Sequence, residues 1–499
     1  MAPSTVAEIL DAGAARSPAI VVPDGPTITY GELRALCDQA VLELHSAGVK
    51  AGDRVAIVYP NTAEAIVLFL AASSIAVACP LNPGYKEDEF RFYLEDTGAG
   101  FVVVPPGQAP EARTALPAGA GVIEAKLDAG ALRMSHSSRG KGGARSASDA
   151  DDVALVLHTS GTTSRPKRVP LRHRNLIASI ANVVHSYELG PDDVSLCVMP
   201  LFHVHGLVAS TLATLASGGT VVVPEKFNAM GVWPVMQAAR PTWFTASPTP
   251  HSLMLSRVRE NRPPGTERLR FVRSCSAALS PAQMALMEDR FGVPVLEAYG
   301  MTEASHQMAS NPLPPGRRVP GSVGRGTGVK IAILDEDGAE LPSAESGEVS
   351  IRGANVIDGY ENNPEANASS FVNGWFRTGD LGTLDAGGYV RLLGRIKELI
   401  NRGGEKISPR EVDEVLLAHP AIAEAVCFGV PHGTWGEEVE AAVVLREGET
   451  IGAPDLLAFC RQRLADFKVP KRLHMVEAIP KGPTGKVQRR SLAGQLGAA

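Results

Sequence analysis

The stretch from Thr159 to Lys167, TSGTTSRPK, gathers the hydroxyls of Thr159, Ser160, Thr162 and Thr163 around Gly161 and ends on a cation. Small hydroxyls and backbone N–H groups freed by a glycine can wrap phosphate oxygens, and Lys167 can neutralise them. The spacing is not a Walker loop, which needs two glycines ahead of its lysine. Taken alone, the stretch could equally be a solvated Ser/Thr turn. A second constellation, Tyr299, Thr302 and Glu303 in AYGMTE, places an aromatic face, a hydroxyl and a carboxylate within five residues. A carboxylate there suits a hard divalent cation, and the ring suits a flat heterocycle. Asp380 in RTGDLG, Lys486 in PTGKVQR and the Gly403-Gly404 pair complete the candidates, each also readable as an ordinary turn.

Histidine and serine form a third group. His203 and His205 stand in FHVHG, Ser274 and Ser276 flank Cys275 in RSCSA, and His306 closely follows Glu303. His-x-His invites a zinc reading, but no third ligand with suitable spacing follows. His205 could be a packed core histidine, and Cys275, with no basic neighbour in sequence, reads as a small packed residue.

The elements that carry these residues follow from hydrophobic periodicity. Val153–Leu157 reads as a buried strand and the residues after Leu171 recover a helical spacing, which predicts a strand-to-helix loop for the Ser/Thr stretch. Residues 27–150 alternate helical stretches with short aliphatic strands, the rhythm of βα units on a parallel sheet. AIVLFLAASSIAVACPL, from Ala65, contains two serines and a proline, too broken to span a bilayer, and reads as a buried helix passing into a strand. The alternation continues past 200 through TVVVPE, PTWFTASP and LRFVRSCSA, whose strand ends are where open α/β sheets collect ligands. After about 320, short strands and turns predict an antiparallel β subdomain, and the segment from 398 has room for a compact α+β domain. The fold class is thus α/β, with a large N-terminal domain and a small C-terminal one.

Composition narrows the function. The 499 residues include 44% hydrophobic and 20% charged residues with a net charge of −6, which describes a soluble globular chain with no electrostatic pull towards nucleic acid. Six dispersed cysteines predict neither a disulfide framework nor a zinc knuckle and fit a reducing, cytoplasmic setting. Glu8 and Asp11 interrupt the place of a signal peptide's apolar core. No obligatory protein partner is indicated.

Six stretches together resemble the acyl-adenylate-forming superfamily, which includes acyl-CoA synthetases, firefly luciferase and the adenylation modules of peptide synthetases. They are TSGTTSRPK (159–167), MPLFHVHG (199–206), EAYGMTEAS (297–305), WFRTGDLG (375–382), GRIKELINRGGEKISPREVDEV (394–415) and PKGPTGKVQRR (480–490). The resemblance implies an adenylation domain over 1–394, a hinge over 395–397 centred on Lys397, and a mobile domain over 398–499. It implies ATP, Mg²⁺ and coenzyme A as the small partners of a carboxylic acid. Thr159, Ser160, Gly161, Thr162, Thr163 and Lys167 would cradle the phosphates, although Ser164 and Arg168 stand where the family has glycine. Ser276, Ala277, Ala278, Glu297, Ala298, Tyr299 and Gly300 would line the nucleotide site, with Tyr299 on adenine, Thr302 on the α-phosphate and Glu303 on Mg²⁺. Asp380 and Arg395 would hold the ribose, Lys486 would be the catalytic lysine, and Gly403 and Gly404 would line the pantetheine path after a domain swing.

His203 matches a position that lines or gates the acyl site across the superfamily. Within the family the wording is most similar to oxalate:CoA ligases. His205, Ser274, Ser276 and His306 are then expected near a small acid whose second carboxylate must be paired when buried, with His306 the favoured partner as an imidazolium. A short or medium fatty acid, or a carrier-protein thiol as acceptor, keeps the same fold. A nucleotide sensor without turnover is disfavoured by the presence of Lys486 and Glu303.

Overall fold

The computed structural model describes residues 3–136, 148–159, 166–258, 262–481, 487 and 489–496. Residues Ser160, Gly161, Thr162, Thr163 and Lys486 lie outside them.

Local signals set the elements. Tyr30–Ala47 is a helix because Thr29 and Glu32 form a reciprocal capping box and Gly48, in the left-handed conformation, ends it. Ala63–Ser73 is apolar all round and correspondingly buried, and the chain re-emerges as the strand Val77–Leu81, as the periodicity predicts.

Two mixed sheets hold the N-terminal part. One has seven strands, in the order 131–136, 121–128, 101–104, 54–58, 77–81, 153–159 and 167–172, parallel in the middle and antiparallel at both edges. The other has nine, with parallel strands 295–301, 271–274, 243–246, 194–196, 220–222 and 18–21 in spatial order, flanked by antiparallel edge strands. A main core of aliphatic residues joins these sheets to their helices. Parallel strands present their carboxyl ends on one side, so the segments after Leu196, Ala246 and Ser274 converge there.

The Ser/Thr stretch departs from its predicted setting. Lys167–Arg172 forms a strand antiparallel to Val153–Thr159, pairing Thr159 with Lys167, so the stretch joins two strands of a hairpin. Val169 and Leu171 are buried while their neighbours are partly exposed, an alternation of period two that the sequence reading passed over. The helix starts only at His173.

A five-stranded antiparallel sheet (330–334, 346–352, 375–384, 371–372 and 390–395) follows, as expected after 320. Between Arg395 and Ile400 the chain leaves it through a 3₁₀ turn, Ile396–Glu398, and enters a last five-stranded sheet with its own core. Contacts between this last unit and the rest include Ser408 Oγ donating to Leu393 O and Lys481 Nζ lying 3.4 Å from Thr249 Oγ1. No helix among the described residues is long and apolar enough to cross a membrane.

Candidate active site

Two polar clusters meet around the strand Val295–Met301. In the first, Tyr299 is buried and its hydroxyl donates to Asp380 Oδ2. Asp380 faces Arg395 across an antiparallel pair, and the Arg395 Nε to Asp380 Oδ1 distance is 2.8 Å. Burial works against the Arg395 charge, but Asp380, followed by Tyr299, Glu303 and Glu398, more than offsets it, and its pKa is raised. Burial, with Asp380 adding to it, holds the Tyr299 phenol well above its ordinary range. Both stay in their usual charge states.

Glu303 sits in a 3₁₀ turn, Thr302–Ala304, where its carboxylate accepts from Tyr360 Oη at 2.8 Å. Lys167 Nζ lies 4.3 Å from the centre of the same Tyr360 ring, a cation–π contact. Burial lowers the Lys167 pKa, Glu303 opposes that shift, and Lys397 reinforces it. The structure therefore brings Lys167, Glu303, Tyr360 and Lys397 within electrostatic reach of one another. Thr302, half-buried, opens this turn beside Glu303. Glu303 is a single carboxylate, and among the described residues no group of three metal-ligating side chains occurs. Such a donor set fits Mg²⁺ that arrives on phosphate oxygens and keeps most of its shell.

Arg168 turns away from this cluster. Its Nη1 donates to Asp96 O at 2.6 Å, its Nε is 3.4 Å from Asp96 Oδ2, and Glu361 is 3.7 Å away. It ties the hairpin to neighbouring segments.

Glu297 and the 276–278 turn form the border. Leu279 N donates to Glu297 Oε1 at 3.1 Å, while Ala277 and Ala278 are exposed. Burial, only partly opposed by Arg410 at 3.9 Å, raises the Glu297 pKa to about 7. Ala298 is buried opposite Ser310. Gly300 has no room for a side chain, since a Cβ there would come within 2.2 Å of His306 O.

The second cluster holds the histidines. His205 begins an eight-residue π-helix, His205–Leu212, a wide-turn form often found at functional sites. Gly206 permits it, because a Cβ would meet Met199 O and Pro200 O at 2.4 Å. His205 Nδ1 lies 2.9 Å from Ser276 Oγ and its Nε2 2.7 Å from Thr245 Oγ1. The ring of His306 is 5.2 Å from that of His205. Ser276 and His306 both have left-handed backbones, φ 74° and 113°, a strain that clusters at binding sites. His203 is half-buried with its ring against Phe202, and Ser274 is buried with no hydrogen bond to its hydroxyl among the described residues.

Arg273, wholly buried, runs beneath this cluster and was missed in the sequence reading. It reaches Thr245 Oγ1 at 2.9 Å and Gln307 Oε1 at 3.2 Å, and approaches His306 Nδ1 at 3.5 Å. His306 thus has a guanidinium beside it, a neighbour that the sequence reading did not include. An arginine inside the apolar strand FVRS was the available signal.

Gly403 and Gly404, with φ of 61° and 95°, form a tight turn fastened by Trp435 O and Asn401 Oδ1. These fastenings belong to the last sheet, so the turn is built apart from the two clusters.

The comparisons agree with this architecture. Residues 10–361 match the AMP-binding enzyme family and residues 411–486 match the AMP-binding enzyme C-terminal domain. The chain belongs to the AMP-binding enzymes. It is 47% identical to the oxalate–CoA ligase of Arabidopsis thaliana, over 93% of each chain. It is 44% identical to that of Saccharomyces cerevisiae, over 95% of this chain and 94% of the relative. ATP-bound MatB from Rhodopseudomonas palustris superposes with a TM-score of 0.88 at 34% identity, covering 99% of this chain and 98% of that one.

Proposed function

We propose that the protein is an ATP-dependent acid:CoA ligase that forms an acyl-adenylate and then the thioester, with oxalate as its acid. The observation that carries this is the meeting of the two clusters across the paired strands Val295–Met301 and His306–Ser310: a charged group suited to a nucleotide beside a buried polar group suited to a small acid. The relatives named above, two of them oxalate–CoA ligases, support it.

In this reading ATP occupies the first cluster. Asp380 and Arg395 exchange their mutual contact for the ribose, Tyr299 offers its ring to adenine, and Lys167 takes phosphate charge together with the 159–163 hydroxyls. Mg²⁺ bound through Glu303 would neutralise phosphate charge and ease departure of pyrophosphate. Thr302 holds the α-phosphate. Lys486 bridges the attacking carboxylate and the α-phosphate oxygens, charge that grows in the transition state. The acid lies against Ser276, His205, His306 and His203, whose polar atoms replace the water that a second carboxylate loses on burial. For the thioester step the unit from 398 turns about Lys397 and carries Gly403 and Gly404 to the pantetheine path, where the lack of side chains leaves room. Six unpaired cysteines suit a reducing compartment, the cytoplasm in this reading.

The test is AMP release with ATP, Mg²⁺ and CoA across oxalate, malonate, acetate, hexanoate and decanoate, with Lys486→Ala as the blank. Preference for oxalate is expected. Preference for a fatty acid overturns the substrate, and adenylate without thioester overturns CoA as acceptor.

A further inference from the structure

Burying a guanidinium is costly unless an anion pairs with it. Arg273 is wholly buried, yet among the described residues no carboxylate pairs with it: its side chain meets Tyr187, Thr245, Gln307, His205, His306 and the Cys275 thiol. Nε donates to Tyr187 Oη at 2.7 Å, Nη1 to Thr245 Oγ1 at 2.9 Å with His205 Nε2 at 3.4 Å, and Nη2 to Gln307 Oε1 at 3.2 Å with His306 Nδ1 at 3.5 Å. Its N–H groups find acceptors, but no carboxylate among the described residues balances its charge.

Because a guanidinium only donates, it dictates the direction of the bonds around it. Arg273 Nη1 faces both Thr245 Oγ1 and His205 Nε2, so Nε2 is an acceptor, and the Thr245 hydrogen is free to turn to it. His205 must then carry its proton on Nδ1 and donate to Ser276 Oγ, which releases the Ser276 hydrogen. His306, accepting at Nδ1, carries its proton on Nε2.

We propose that Arg273 is the positioning residue of the acid site: it sets the tautomers of His205 and His306 so that Ser276 and His306 present hydrogen-bond donors, and its uncompensated charge selects a small acid with a second carboxylate. The selectivity half rests on the dicarboxylate reading above; the tautomers do not. Arg273 acts through its neighbours and touches no reacting atom.

The experiment uses the full-length protein labelled with ¹⁵N-histidine. Ring-nitrogen spectra, assigned with His205→Asn and His306→Asn, are expected to show Nδ1–H for His205 and Nε2–H for His306. Thr245→Val, nearly isosteric, is expected to raise KM for oxalate several-fold, by about 3- to 10-fold as befits one lost hydrogen bond, with acetate changed less. Arg273→Met is expected to lose both preferences and to raise KM for oxalate by roughly 30-fold or more, and Arg273→Lys to recover part of that loss. Opposite tautomers in the wild type, or a folded Arg273→Met that keeps both tautomers, overturn the proposal. Equal KM changes for oxalate and acetate overturn its selectivity half. A wild type indifferent to oxalate overturns the dicarboxylate reading, while the spectra still decide the role of Arg273.

Discussion

The nucleotide-side cluster and the histidine cluster meet across the paired strands Val295–Met301 and His306–Ser310 yet treat buried charge in opposite ways. Around Tyr299, opposite charges sit together: Asp380 with Arg395, and Glu303 with Lys167 and Lys397 in reach. Around His205, the Arg273 guanidinium meets hydroxyls, an amide, imidazoles and a thiol, and no carboxylate among the described residues. A paired cluster can open for a ligand that brings both phosphates and a metal ion, since its charges re-pair with the guest. An uncompensated cation instead holds a standing attraction for an anion. On the proposed reading, the first grips a nucleotide whatever acid is used, and the second chooses the acid.

The sharpest way to break this division is Lys486→Ala. It is expected to slow adenylate formation by roughly 10²- to 10³-fold, the scale of losing one transition-state charge contact, with ATP affinity largely kept. Pyrophosphate release and ATP titration check it, and a wild-type rate removes the lysine from the mechanism. Next comes Glu297→Gln, which probes the border between the clusters. Glu297 has its folded pKa raised to about 7, so its stabilising effect is complete below its unfolded pKa of 4.5 and is lost as pH rises through about 7. The variant should therefore gain on the wild type from pH 5 to pH 8, by on the order of 3 kcal/mol at the top. Melting temperatures at the two pH values decide it, and a pH-independent difference would contradict the burial argument.

Asp380→Ala tests the paired cluster. It leaves the Tyr299 hydroxyl and Arg395 without their carboxylate, and because Arg395 is partly exposed the expected cost is about 2 kcal/mol, less than for a fully buried pair. Denaturant unfolding measures it, and ATP binding should weaken in parallel while relative preference among acids stays put. The smallest effect is that of His306→Ala, expected to reduce kcat/KM for oxalate about tenfold more than for acetate, the worth of one charge-assisted hydrogen bond. Equal losses would take His306 out of acid selection.

Much of the molecule could be read directly. The buried helix and strand after Ala65 and the antiparallel sheet after 320 follow from periodicity and turns, which are local. The hairpin of the Ser/Thr stretch was misread because Lys167–Arg172 offers only two buried residues, Val169 and Leu171, too short an alternation to separate from an approaching helix. The partners of Arg168 lie 72 or more residues away, so its role could not be seen from its neighbours in sequence.

By itself the sequence determined the types of the reactive residues, their order along the chain and the elements that carry them, because motif spacing and hydrophobic period are properties of neighbours. Only the tertiary structure decided which charges meet. Asp380 reaches Tyr299 across 81 residues, and Arg273 reaches Tyr187 across 86. Those meetings depend on strand order and on which face of each strand is buried, and these are fixed only when distant segments compete for the same core.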